Sequence, residues 1–157
     1  MKQKSNILLL TTILILSLLI SCSKGEEFYF YNHIQRGKWY TDSVQTFQID
    51  SIPFNPKVEY TMSLELSITG LYPYRNIWLS LEHNFTDIDF RTDTVEYQLA
   101  NEYGQWHGSG VGGINQISLP FLSNLYLDST KSYKLNITQL MIDNPLEGVE
   151  KIGFKIE

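Results

Sequence analysis

Residues 58–68 read Val-Glu-Tyr-Thr-Met-Ser-Leu-Glu-Leu-Ser-Ile. Apolar side chains stand at Val58, Tyr60, Met62, Leu64, Leu66 and Ile68, and every residue between them is polar. Successive side chains of an extended chain point to opposite faces, so this run makes a strand with one dry and one wet face. On a helix the same residues would scatter around the axis. The alternation returns at Val95, Tyr97 and Leu99, at Tyr133, Leu135 and Ile137, and at Ile152, Phe154 and Ile156. Weaker runs lie at 47–49, 77–81 and 117–121, and the aromatic run 28–31 reads as a first strand or as an interfacial contact with a bilayer. Turn-forming clusters at 52–57, 69–76, 127–132 and 142–148 separate them. No stretch sustains a 3.6-residue period, and only 121–127 has room for a turn or two of helix. About seven or eight short antiparallel strands predict an all-β fold: a single β-sandwich over 28–157, jelly-roll or immunoglobulin-like.

Ahead of that domain the chain carries an export signal. Lys2 and Lys4 form a basic start, residues 7–20 are almost wholly apolar, and Leu19-Ile20-Ser21-Cys22 follows. The apolar run is shorter than the ~20 residues that a membrane span needs. With a small residue before a cysteine it reads as a lipoprotein signal peptide over 1–21. Cys22, the chain's sole cysteine, is then the lipidation site, its sulfur carrying the diacylglycerol. Residues 22–27 form an acylated N-terminus and short tether. The six residues from Cys22 to Phe28 reach at most about 20 Å, which keeps the domain beside its membrane. Ser23, where an aspartate is absent, resembles the bacterial sorting pattern for the outer membrane. The expected placement is the cell envelope, on the periplasmic face; the acidic pair Glu26-Glu27 faintly resembles the surface-export tags of this class of lipoprotein, so exposure at the cell surface is the alternative.

Without Lys2 and Lys4 the formal charge falls from −5 to −7. An acidic domain lacking a basic cluster is a poor partner for nucleic acid. Membrane attachment is therefore expected through acyl chains, each buried methylene contributing about 0.8 kcal/mol.

Five of the ten glycines fall between Gly104 and Gly113, in Gly-Gln-Trp-His-Gly-Ser-Gly-Val-Gly-Gly. A phosphate-binding loop joins a strand to a helix, whose N-terminus helps hold the anion. Here a strand-like run follows, so phosphate binding is set aside. Gly104, Gly108, Gly110, Gly112 and Gly113 read instead as a structural loop, flat, kinked or a wide hairpin, in which side chains would strike a neighbour. Trp106 has two open readings. It is a plug packed over the glycines, or an exposed ring that stacks, with Tyr72 and Tyr74, on a sugar or a partner protein.

Catalytic patterns are lacking. His33, His83 and His107 have no metal-ligand spacing, no nucleophile elbow occurs, and no carboxylate pair stands out for glycosidase chemistry. Asp87 and Asp89 read as a solvated edge in preference to a cation site. The expectation is a protein without enzymatic activity, metal or cofactor.

Several stretches in order, Cys22, Trp39, 72–79, 93–100, 103–113 and 133–157, make the chain similar to the gliding-motility lipoproteins of the GldH type from Bacteroidetes. The most specific are Gly-x-Trp-x-Gly-x-Gly around Trp106 and the Gln139-x-Met141…Leu146-x-Gly148-Val149…Gly153 close. The resemblance implies a component of the gliding apparatus and its associated secretion system, with no cofactor and no catalytic residue. Its partners would be envelope proteins of that apparatus; the second reading, of a different class, is a carbohydrate-binding β-sandwich. Four Asp-Ser/Thr triplets begin at Asp42, Asp50, Asp93 and Asp128. They resemble the O-glycosylation signal of Bacteroidetes envelope proteins, which would place glycans on Ser43, Ser51, Thr94 and Ser129. Ordinary turn chemistry is the other explanation of the same triplets.

Overall fold

A computed structural model describes residues 27–86 and 89–157. The expected signal peptide, Cys22 and Asp87 lie outside the described residues.

Among the described residues eleven strands follow one another: β1 (Phe28–His33), β2 (Lys38–Trp39), β3 (Gln45–Ile49), β4 (Tyr60–Thr69), β5 (Asn76–His83), β6 (Arg91–Gln98), β7 (Ser109–Val111), β8 (Ile114–Leu125), β9 (Tyr133–Gln139), β10 (Leu146–Glu147) and β11 (Val149–Ile156). A 3-10 turn at Gln35–Gly37 separates β1 from β2. One sheet has the order β1-β11-β4-β8-β7 and the other β3-β9-β5-β6, while β10 and β2 form a small clip. Pairing is antiparallel throughout the described residues.

The alternating residues do what their period requires. Met62, Leu64, Leu66 and Ile68 of β4 are buried, as are Tyr133, Leu135 and Ile137 of β9 and Ile152, Phe154 and Ile156 of β11. Residues of both sheets enter one apolar cluster. Phe47 of the second sheet meets Phe154 of the first edge-on at 5.3 Å, a geometry worth about 0.5–1.5 kcal/mol beyond the area buried. The Tyr97 hydroxyl ties β6 to β8 by donating to the Pro120 carbonyl at 2.8 Å, and burial pushes its phenol up to about 12. This all-β architecture fits a β-sandwich.

Residues 121–127, expected to have room for a helical turn, continue as strand to Leu125. The physical reason is a bulge: the β4–β8 register shifts on either side of Met62, and Asn124 takes a left-handed φ of 57°. That irregularity leaves Phe121 and Leu122 both half-buried, which hides the two-residue period.

Register also decides which loops share an end. At one end Phe28 pairs with Ile156, Tyr60 with Leu125, His83 with Arg91 and Ile49 with Tyr133. The chain enters the fold here, and we call this the entry end. The opposite, far end gathers the loops at 34–44, 70–75, 99–108, 112–113 and 140–148.

Candidate functional site

The far end is held together by polar residues that continue apolar strand faces. Gln139 follows Tyr133, Leu135 and Ile137 on the inner face of β9 and is fully buried. Its amide nitrogen donates to the carbonyls of Trp39 at 3.3 Å and Asp143 at 3.2 Å. Its amide oxygen accepts from the Met141 N–H at 2.7 Å. One side chain thus satisfies three backbone groups, which offsets the cost of burying it. Trp39 is also fully buried, and its indole N–H donates to the Ser43 carbonyl at 2.9 Å.

Beside this clamp stands an aromatic cluster. Tyr72 lies edge-on to Tyr74 and to Trp106, each at 6.2 Å between centroids. Tyr72 is only 4 % exposed, and its hydroxyl donates to the Asn76 carbonyl at 2.8 Å. Burial pushes its phenol well above the usual range. The expectation that Tyr72 presents a face to a ligand is thereby corrected: the bare backbone of Gly148 admits the Tyr72 main chain against it, and the ring sinks into the core. Trp106 is half-buried against that core. Tyr74 is half-buried too, and a hydrogen bond from its hydroxyl to the Asp143 carboxylate raises its phenol.

Trp106 is carried by a loop that Asn101 organises. The Asn101 side-chain oxygen accepts from the N–H groups of Tyr103 and Gln105, both at 3.0 Å, and Ala100 bridges Trp106. Sequence reasoning passed over Asn101, although an Asn that bonds the backbone two residues on is a recognised turn device.

The glycine run then splits in two. Gly108 and Gly110 lie against the neighbouring strand: an added Cβ would collide with the Gln116 carbonyl oxygen at the first and come within 2.6 Å of the Asn115 side-chain oxygen at the second. Gly112 and Gly113, with φ of 66° and 84°, make the two-residue turn between Val111 and Ile114. The hairpin is therefore tight, where a wide one had been one of the expectations, because both turn residues can adopt positive φ. Gly104 also has positive φ (78°), with open space around it. We expect Gly108→Val and Gly112→Val each to lower stability by more than about 1 kcal/mol, read as a shift in the urea midpoint. Parental midpoints in both, with loss of activity, would instead make the loop a contact surface.

His83 has a place that its sequence spacing did not suggest. It continues Ile77, Leu79 and Leu81 on the inner face of β5 and is fully buried. The Phe85 N–H donates to Nδ1 at 3.4 Å, so the ring proton sits on Nε2 and is donated to Asp93 Oδ2 at 3.1 Å. Arg91, whose guanidinium donates to Asp93 Oδ1 at 2.7 Å, holds the Asp93 carboxyl below its usual range, and His83 adds to this. The sheltered imidazole is closed to a substrate. Among the described residues no group of His, Cys, Asp or Glu is arranged to hold a metal. Ser43, Ser51 and Ser129 stand exposed in loops, and Thr94 is exposed on β6.

Fold and loop end together define a two-sheet antiparallel β module whose far end is built from buried amide and aromatic side chains. The GldH lipoprotein family model matches residues 26–156, and the chain belongs to that family of gliding-motility lipoproteins. It is 31 % identical over 144 residues to the gliding motility lipoprotein GldH homolog of Christiangramia forsetii, covering 87 % of this chain and 86 % of that one. To the gliding motility lipoprotein GldH of Flavobacterium johnsoniae it is 30 % identical over 162 residues, covering 99 % and 96 %.

Proposed function

We propose that this lipoprotein is anchored in the outer membrane through Cys22 and serves the gliding and associated secretion machinery by docking on envelope proteins, without catalysis. The observation that carries the docking reading is the kind of side chain left in solvent. Tyr72 is buried and Trp106 half-buried, whereas apolar residues protrude singly from loops and from the edge strand β7, Ile142 at 89 % and Val111 at 91 % exposure. Branched aliphatic tips fit an apolar protein pocket and have no flat face for a sugar. Eight strands, excluding the clip and β7, divide between the sheets in the order β1-β11-β4-β8 over β3-β9-β5-β6, the chain crossing at each step except the β5–β6 hairpin, which we read as a jelly roll.

The second reading, glycan binding, has one observation of its own. Trp78 is 40 % exposed on the outer face of β5. It lies opposite Glu96, whose carboxylate accepts from Asn76 at 2.6 Å and Gln98 at 3.3 Å. A ring flanked by amides and a carboxylate is the arrangement that sugar stacking requires. Crosslinked purification of the acylated protein from cells separates the readings. Co-purifying gliding or secretion proteins support docking; glycan-array binding that Trp78→Ala abolishes, with no such proteins recovered, would replace it.

We also propose O-glycosylation at Ser43, Ser51, Thr94 and Ser129, supported by their exposure. Intact-mass spectrometry of the native protein should give hexose-sized increments above the lipidated polypeptide. The bare lipidated mass, from a host that glycosylates other proteins, would end this part of the reading.

A further inference from the structure

We infer that the free edge of β6 takes up an extended segment of a partner protein as a fifth strand of the second sheet, with apolar side chains turned inward and a lysine or arginine opposite Glu96. This rests on the docking reading above and gives it a place and a recognition chemistry.

The backbone supplies the first observation. β6 ends its sheet. The neighbouring β5 shows which of its groups are engaged. The Trp78 N–H donates to Met141 Sδ at 3.2 Å, and the Trp78 carbonyl accepts from the Leu140 N–H at 2.9 Å, both on the β9 side. Alternate residues of an antiparallel pair exchange both ladder bonds, so Ile77 and Leu79 bond to β6 and Trp78 does not. Opposite them stand Tyr97 and Val95. Thr92, Thr94, Glu96 and Gln98 therefore turn their N–H and C=O groups to the open edge, where no backbone of another described residue meets them. The eight residues of β6 contain no proline, and their register carries no bulge to blunt the edge.

The groove beside that edge supplies the second. β8 pairs with β7 only at 114–116 and then runs free. Pro120 has no N–H, and its carbonyl is taken by the Tyr97 hydroxyl at 2.8 Å, so β8 offers an added strand no ladder there. It offers an apolar wall instead. Val95 and Tyr97 of β6 with Pro120, Phe121 and Leu122 of β8 line a groove of about 470 Å³. A strand laid along β6 sends every second side chain into this groove and the others to the solvent face. Asp93, on the inner side of β6, is already held by Arg91 and His83. β7 carries the first sheet one strand past β8, and all three of its residues are exposed. The added strand would bring the second sheet to the same five.

Charge decides the occupant. On the solvent face the Glu96 carboxylate accepts from the amides of Asn76 and Gln98, and Glu82 accepts from Asn136. Among the described residues neither is in an ion pair. Residues directly opposite on one face stand about 5 Å apart, where unlike charges attract, so a cation on the added strand meets Glu96 directly. A second copy of this chain cannot supply it, because its β6 turns Thr92, Thr94, Glu96 and Gln98 to that face. The Thr94 side chain leaves the sheet perpendicular to the edge, so a sugar on it would stand over the outer face and leave the backbone groups open.

The test uses the full-length acylated protein in its own cells. A photo-crosslinking residue is placed at Thr92 or Gln98 on β6, and at Tyr31 on β1, which ends the other sheet. Captured peptides are sequenced by mass spectrometry. The β6 positions should capture one protein through one segment of alternating apolar and polar residues that includes Lys or Arg, and Tyr31 should capture none. Thr94→Pro removes an edge N–H without touching a β5 bond, and Glu96→Lys reverses the charge. Each should cut the Thr92 adduct at least tenfold and stop gliding, at parental melting and membrane retention. If Thr94→Pro melts low, Glu96→Lys carries the test alone. An undiminished adduct in a well-folded variant would overturn strand addition. Protein adducts at Tyr31 alone would overturn the β6 assignment and leave docking standing. A second copy of this chain, a glycan or a lipid captured at β6 would overturn the occupant. Normal gliding in both variants, with no protein adduct at any position, would end the docking reading as well.

Discussion

Gly148→Val should lower stability by about 3 kcal/mol or more, the largest effect we expect from any single glycine replacement at the far end. Gly148 sits between β10 and β11 with a φ of +81°, and a left-handed backbone costs other residues roughly 1–2 kcal/mol. An added Cβ would overlap the Tyr72 amide nitrogen and stand 2.8 Å from the Leu71 carbonyl carbon. These are backbone atoms, so no side-chain rotation relieves the contact, and overpacking of this kind costs about 1–3 kcal/mol more. The same residue donates to the Gly37 carbonyl and accepts from the Thr69 N–H, both at 2.8 Å. Displacing it therefore disturbs the 3-10 turn, the end of β4 and the seat of Tyr72 together. Gly104→Val separates the two causes. Its φ is +78°, but no atom lies within 4 Å of an added Cβ, so it should show the backbone cost alone, about 1–2 kcal/mol. Urea unfolding of the mature chain measures both. Equal midpoint shifts would mean that the Gly148–Tyr72 contact contributes nothing.

How far the fold could be read in advance depended on whether burial left a period in the sequence. β4, β9 and β11 each bury one face, so their alternation was legible residue by residue. The two-residue strands β2 and β10 are too short to carry any period, and they fell inside a loop and a turn cluster. Around Phe121 a bulge broke the alternation and imitated a helical pattern.

The strand ends were harder to read, because polar residues occupy inner positions there, His83 toward the entry end and Gln139 toward the far end. Both His83 and Gln139 fall two residues beyond a run of alternating apolar residues, and that register was the signal for their burial. Their partners were not legible: Trp39 lies 100 residues from Gln139, and only the folded sheets bring the two together. Tyr72 was misjudged for a related reason. A Tyr-Pro-Tyr loop reads as surface, and nothing local announces that Gly148, from the other end of the chain, makes room beneath it. The close Gln139-x-Met141…Gly148…Gly153, prominent in the resemblance, thus holds backbone and core.

Cys22→Ala has an all-or-none expected effect on where the protein resides. On the proposed anchoring the Cys22 thiol receives the diacylglycerol, and alanine removes that nucleophilic sulfur while keeping a small side chain. Without acylation only the residual signal segment or nothing holds the chain, since stable anchoring requires more than one acyl chain or an added attachment. Among the described residues no helix is long and apolar enough to replace it. The decisive measurement is membrane fractionation of cells carrying this variant, with processing followed by mass and gliding scored in the same culture. A lipid-anchored docking protein predicts an unprocessed precursor or a chain released from the membrane, and loss of gliding in either case. A Cys22→Ala chain that is cut normally, stays with the outer membrane and supports full gliding would contradict it.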